Sequence, residues 1–322
     1  MSLIFENLFE RALIDPIRAG ANQLYIVSGY ATATMVTRHL EYTRSSLRKD
    51  IAIKLIVGMC PKDGIQKSQH LGFQKLESGA FNNDFECNYI FNRPAVHSKV
   101  YAWLKDGVPI QGWVGSANYT QNAFSTSQRE VLSEEGASTC LEYYNSLIGQ
   151  TINCRSGEVP NVINIFDEIQ TIKSTVSPGS LINTGSDKKE SITLSFLDRS
   201  GNLPTRSGLN WGQRPEYGRE PNQAYIRVPV DVQNSGFFPD RFEQFMVLTD
   251  DGKELICVRA QDNGKAIHTT LNNSLMGEYF RYRLGLPNGA LVTRQDLLRY
   301  GRTDVDFYKI DDETYYMNFS VE

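Results

Sequence analysis

Pro94-Ala95-Val96-His97-Ser98-Lys99-Val100-Tyr101-Ala102-Trp103 is the stretch from which the rest of the chain can be read. A proline followed by a short apolar, aromatic and β-branched run predicts a strand. Side chains on a strand alternate between faces, so His97 and Lys99 are expected to point the same way. Asp106-Gly107 is a hairpin-type turn signal, and the apolar run over residues 109–114 is the returning strand. That strand ends in Gly115-Ser116-Ala117-Asn118, a small-residue turn expected to carry Ser116, Asn118 and backbone N–H groups to the His97/Lys99 face. An imidazole, a fixed cation and amide and hydroxyl donors suit attack on a phosphodiester. The imidazole attacks phosphorus, and the other groups hold the charge that develops on the non-bridging oxygens.

These residues resemble the phospholipase D superfamily, in which His-x-Lys is followed by Gly-Ser-x-x-Asn or a close variant. The matching positions are His97, Lys99, Gly115, Ser116 and Asn118. Two features depart from the commonest pattern. Leu104 stands where the family often has Asp, and the Gly-Ser-to-Asn spacing is one residue shorter. Both departures suit the nuclease branch, in which a later carboxylate assists the site, and Glu130 is the candidate here. The chain holds four histidines, and only His97 has a lysine two residues on. The resemblance implies a reaction with two histidines, one attacking and one protonating the leaving oxygen. One motif per chain then implies a homodimer in which His97 of each subunit meets across a two-fold axis. No cofactor and no metal are expected.

Working outward on the N-terminal side, residues 2–19 read as one amphipathic helix capped by Ser2. Residues 23–29 and 51–58 read as buried strands, 34–47 and 64–76 as helices, and 85–91 as a strand leading into the His97 hairpin. Alternating strands and helices predict an α/β sheet layer. His39 and His70 lie in helix-like segments without a partner motif and read as packed or surface side chains. Helices are predicted over 141–150 and 162–172.

The composition then changes. Residues 174–189 are rich in Ser, Thr, Gly and Pro, which marks a linker. The expected domains are residues 1–175, a linker over 176–190, and residues 191–322. In the last segment short strands are predicted over 192–197, 224–229, 244–248, 254–258, 279–283 and 315–319, with a helix over 293–300. Many short strands separated by turns point to a small barrel.

From residue 179 onward acidic residues slightly outnumber basic ones, so net charge does not identify a nucleic-acid partner. Local distribution says more. Residues 199–227 carry Arg199, Arg206, Arg214, Arg219 and Arg227, with Asn210, Trp211 and Gln213 among them. Residues 259–283 carry Arg259, Lys265, Arg281 and Arg283, with Gln261, His268, Thr269, Asn272 and Asn273. Arg, Asn and Gln read base edges bidentately, and Ser, Thr and Lys hold phosphates. Composition alone also fits two solvated loops. The layout resembles the B3-type DNA-recognition barrel, in which two loop arms clamp the major groove. The arms would fall near 199–223 and 260–275.

A phospholipase D-type nuclease followed by a B3-like domain resembles the NgoFVII-type restriction endonucleases across essentially the whole chain. The expected fold is therefore an α/β phospholipase D-like nuclease core plus an all-β B3-like pseudobarrel DNA-binding domain. The resemblance implies sequence-specific, metal-independent cleavage of double-stranded DNA through a phosphohistidine. It also implies a cognate methyltransferase and, for some relatives, a separate ATP-driven helicase-like partner. This chain has no Gly-x-x-x-x-Gly-Lys-Ser/Thr loop of its own.

Two other readings stay open at this level: a lipid-acting phospholipase D, and a DNA-binding protein with an inactive nuclease core. No apolar run reaches the roughly 18 residues of a membrane span. The N-terminus lacks a signal-peptide pattern. The five cysteines are scattered, without a Cys-x-x-Cys pair, which fits neither a disulfide framework nor a zinc site. A cytoplasmic protein without membrane contact is expected.

Overall fold

A computed structural model of the chain describes residues 2–79, 81, 84–125, 128–167, 191–270 and 272–321. Two compact units are present, residues 1–177 and 178–322. The expected linker, 176–190, lies outside the described residues.

The first unit is built on an eight-stranded sheet. Its strands are β1 (Leu3–Ile4), β2 (Gln23–Ser28), β3 (Ala52–Val57), β5 (Phe85–Ile90), β6 (Lys99–Lys105), β7 (Val108–Gly115), β8 (Leu132–Glu135) and β9 (Thr151–Asn153), in the order β1-β8-β7-β6-β2-β3-β5-β9. A parallel pair, β4 (Ile65–Gln66) and β10 (Ile165–Phe166), stands apart from it. The strands β2, β3 and β5 run parallel. The first two are the apolar runs read as buried strands, as suits strands covered on both faces, and β5 is the strand read over 85–91. Helices Ala33–Tyr42, Lys67–Ser78 and Ala137–Leu147 supply the cover. The hairpin from β6 to β7 turns at Asp106-Gly107, both with positive φ, as the sequence predicts.

Three N-terminal expectations are corrected. Residues 2–19 are not one helix capped by Ser2. Leu3 and Ile4 instead pair with Leu132 and Ser133 of β8, Asn7 takes a positive φ of 54°, and helical structure starts only at Phe9–Ile14. The strand expected over residues 94–103 starts at Lys99. His97 precedes it, outside any strand, so strand alternation does not place the two side chains. The helix expected over 162–172 is a short turn, Val159–Val162, followed by strand β10, and residues 168–172 lie outside the described residues.

The second unit is a seven-stranded, nearly closed sheet. Its strands are β11 (Ser191–Ser195), β12 (Ile226–Arg227), β13 (Gln244–Thr249), β14 (Glu254–Ala260), β15 (Ala266–Thr269), β16 (Asp304–Lys309) and β17 (Thr314–Asn318), ordered β11-β16-β17-β13-β14-β15-β12. The two edge strands, β11 and β12, approach each other. Every pairing is antiparallel except that of β13 with β17. Its interior is aromatic, with Phe238, Phe245, Phe280, Phe307, Tyr315 and Phe319 buried together. The helix expected from Thr293 is present as Arg294–Tyr300, with Thr293 and Asp296 forming a capping box. The strand expected over 279–283 is instead the end of helix Leu275–Arg283. Strands β15 and β16 were not expected from the sequence.

Candidate active site

The C-terminal ends of β2, β3 and β7 and the start of β6 meet at one end of the sheet, because Ser28 pairs with both Val57 and Lys99, and Val100 with Val114. The chain crosses this end just before β6. Val96 N–H donates to the Gly58 carbonyl at 2.9 Å. The approach is so close that a β-carbon on Gly58 would lie 2.0 Å from the Val96 carbonyl oxygen. A β-carbon on Gly29 would lie 2.8 Å from His97 Cδ2 and 3.4 Å from Asn118 Oδ1. His97 and Asn118 therefore converge over a glycine floor. The His97 side chain is exposed.

Lys99 is buried, and its ammonium donates to the His97 carbonyl at 2.7 Å. Burial pushes the Lys99 pKa below its ordinary value, while nearby Glu130 acts to raise it. The Ser116 hydroxyl donates to the Glu130 carboxylate and accepts the Val131 N–H at 3.1 Å. Asn118 Oδ1 accepts from the Tyr30 N–H at 3.1 Å and lies 3.4 Å from Ser28 Oγ. The turn that presents Ser116 and Asn118 is fixed from below by fully buried aromatics. The Tyr101 hydroxyl donates to the Ala117 carbonyl at 2.7 Å, and the Tyr119 hydroxyl lies 2.9 Å from His39 Nδ1. His39 and His70 are both buried and bonded to tyrosine hydroxyls, so both are packing residues.

The structure thus brings His97, Lys99, Ser116, Asn118 and Glu130 to one end of one sheet. Within a single chain the hydrogen bond of Glu130 goes to Ser116. Sequence reasoning missed Ser28, Gly29, Tyr30 and Gly58. The available signal was that two buried strand runs, 23–28 and 52–57, each end in glycine. Ligands of open α/β sheets gather at the C-terminal ends of such strands. Among the described residues no group of three or more His, Cys, Asp or Glu could hold a metal ion.

In the second unit the arm residues separate into two kinds. Asn210 is fully buried, its amide donating to the carbonyls of Pro204 and Val292 and accepting from Val292 N–H. Gln213 donates to the Pro221 and Gly289 carbonyls. Thr269 is buried and donates to the Asn272 carbonyl. These three side chains hold the loops together rather than offering a reading edge. Asn272 Oδ1 accepts from Ser274 N–H, and the Asn273 carbonyl accepts from Ala224 N–H.

Three residues from both arms do come together. The Trp211 ring has the Arg219 guanidinium 3.9 Å above it and the His268 ring 6.2 Å away. Arg206 pairs with Glu216 on the surface, Lys265 is exposed, and Arg214 and Gln261 are half-buried.

Three of the arginines counted toward a basic second arm are internal. Arg259 donates to the Gln233 carbonyl, Arg283 is paired bidentately with Asp250, and Arg281 is fully buried. Arg281 donates to the carbonyls of Ala290, Gly277, Leu209 and Pro221, two of them in the first arm.

Two family models describe the chain. Residues 6–161 match the NgoFVII restriction endonuclease N-terminal PLD domain, and residues 184–311 match the NgoFVII C-terminal B3-like DNA-binding domain. The first unit is therefore a phospholipase D-like nuclease, a DNA phosphodiesterase, and the second is a B3-like DNA-binding domain. The chain belongs to the NgoFVII restriction endonuclease family.

Solved structures similar to it include NucT from Helicobacter pylori, at 18% identity over 47% of this chain and 97% of that one, with a TM-score of 0.34. Nuc, a phospholipase D family member from Salmonella typhimurium, is similar at 16% identity over 48% and 97%, with a TM-score of 0.35. Polyphosphate kinase from Porphyromonas gingivalis is similar at 12% identity over 48% of this chain and 24% of that one, with a TM-score of 0.33. At this level of likeness these structures carry no functional information. No curated protein matches the chain. Among the described residues no helix is long and apolar enough to cross a membrane.

Proposed function

We propose that this restriction endonuclease cuts double-stranded DNA without a metal, through a phosphohistidine at His97, in a site completed by His97 of a second copy. The second unit reads a short asymmetric sequence, and the cut falls at a fixed distance from it. The observation that carries the reading is an exposed His97 converging with Asn118 over Gly29, with Lys99, Ser116 and Glu130 at the same sheet end, in a chain with no second His-x-Lys.

In the first step an imidazole nitrogen of His97 attacks phosphorus. The bond from phosphorus to the leaving deoxyribose oxygen breaks, and His97 of the partner subunit gives that oxygen its proton. In the second step the partner's histidine, now neutral, takes a proton from water as the water attacks phosphorus. The P–N bond breaks and His97 is restored. The Lys99 ammonium and the Asn118 NH2 bind the non-bridging oxygens, and the Ser116 hydroxyl joins them by turning its one proton from Glu130 to the phosphate. An ammonium has three protons, and the His97 carbonyl holds one of them. Glu130 tunes this set by accepting from Ser116 and countering the charge of Lys99. In the second unit the Trp211–Arg219–His268 cluster, with Arg206, Arg214, Gln261, Lys265, Asn272 and Asn273, is offered to DNA by region.

A cognate methyltransferase protecting the same sequence belongs to this reading, and a separate ATP-driven partner is compatible with it. Stereochemistry at phosphorus tests the covalent step. Two in-line displacements on a chiral phosphorothioate at the scissile position give net retention. Inversion would show a single displacement and rule out the phosphohistidine.

A further inference from the structure

We propose that Tyr30 is a positioning residue for DNA cleavage, setting the His97 ring and the Asn118 carboxamide through one short turn; this rests on the nuclease reading above. Tyr30 follows Gly29 at the end of β2 and touches both groups. Its ring stands edge-on to the His97 ring, with centroids 5.8 Å apart and planes at 78°. Its backbone N–H donates to Asn118 Oδ1 at 3.1 Å. A backbone N–H only donates, so the atom facing it must be the carboxamide oxygen, and the NH2 group of Asn118 is turned the other way.

The turn itself is braced. Ser28 Oγ donates to the Tyr30 carbonyl and accepts the Tyr119 N–H at 2.9 Å, and Thr32 N–H donates to the Tyr119 carbonyl at 3.2 Å. The Tyr30 side chain needs its own anchor, because it is 43% exposed and borders an open cleft lined by Met59, Asp63, Ile65 and Phe166. That anchor is Asp63, whose carboxylate accepts from the Tyr30 hydroxyl. The bond holds the hydroxyl pKa up at about 12, so it remains a donor over any working pH. An exposed tyrosine tethered to a carboxylate, with its edge on the nucleophile, has no packing purpose of comparable weight.

Three variants of the full-length chain test this, with two readouts. Tyr30→Leu removes the ring edge, while Tyr30→Phe and Asp63→Ala remove only the tether. Misplaced reacting groups cost rate rather than affinity, so kcat on cognate DNA is expected to fall about 30-fold in Tyr30→Leu and about five-fold in the other two, with KM within about two-fold of wild type. Combining Tyr30→Phe with Asp63→Ala is expected to cost no more than either alone, because both break one bond.

The second readout is independent of cleavage: ring resonances of 15N-labelled histidine. Tyr30→Leu is expected to move the His97 ring signals and leave those of His39, His70 and His268 in place. Unmoved His97 signals, or a kcat within two-fold of wild type in Tyr30→Leu, would overturn the proposal. Inactive wild-type protein whose His97 signals still shift in Tyr30→Leu would instead overturn the reading that this chain cuts DNA on its own, and leave the positioning of His97 by Tyr30 standing.

Discussion

Gly58 has no room for a methyl group, since the Val96 carbonyl oxygen sits where a β-carbon would go. Gly58→Ala must push the His97 segment off the sheet end. We expect it to reduce cleavage at least about 100-fold and to cost about 1–3 kcal/mol in urea unfolding, the usual range for overpacking. Lys99 tells the complementary story. Its pKa is lowered in the folded chain by burial, so between that lowered value and the ordinary lysine value the unfolded chain binds the extra proton. Stability therefore rises with pH across that window, and the charged Lys99 is a cost at neutral pH. Lys99→Met is expected to raise Tm at pH 7 by a few degrees, roughly, while abolishing cleavage. A lower Tm would mean that the ammonium serves the fold rather than the phosphate. The five candidate residues were legible in the sequence because the chemistry demands their types at short spacing. Ser28, Gly29, Tyr30 and Gly58 were not, because they join the site only through sheet register.

At the level of elements, the misread stretches share a cause. Residues 280–283 alternate aromatic and basic side chains and so imitate a strand. In the helix Leu275–Arg283 the same residues bury Phe280 and even Arg281, because Arg281 meets four backbone carbonyls instead of water. Arg283 and Tyr279, one turn apart, bond to each other at 2.7 Å. Periodicity assigns charged residues to the outside and fails where a buried arginine serves as a cross-brace. Removing that brace leaves buried carbonyls without donors. Arg281→Met is therefore expected to destabilise the second unit by about 2–4 kcal/mol. It should also weaken cognate DNA binding, measured by gel shift, although the side chain is fully buried. Residues 94–98 were misread for a different reason: they lead directly into β6, but the bond from Val96 N–H to the Gly58 carbonyl crosses the sheet end instead of running along a strand. Strands β2 and β3 were legible because each is a mostly apolar run of strand length followed by glycine, and β5 because Phe85, Cys87 and Tyr89 alternate with polar Glu86 and Asn88.

For the whole molecule, the net charge of −4 is uninformative about DNA, and the structure sharpens the reason. Arg259, Arg281 and Arg283 are spent inside the second unit, so the recognition surface depends on fewer cations than the sequence counts. The fold also carries a stability dependence on pH. Burial lowers the His39 pKa to about 4, against an ordinary 6.5. As pH falls through that interval the unfolded chain takes up a proton that the folded chain refuses, so stability drops, by on the order of 3 kcal/mol in all. Urea titrations between pH 7 and 4.5 should show this decline, and His39→Gln should flatten it.

The central claim is cleavage by His97 without a metal at a defined distance from a recognised sequence. It is tested most directly by incubating the wild-type chain and His97→Ala with plasmid DNA in EDTA and sequencing the ends. The account predicts discrete ends at a constant offset from one short sequence for wild type, and intact DNA for His97→Ala. Cutting that requires a divalent cation, or that persists in His97→Ala, would contradict it.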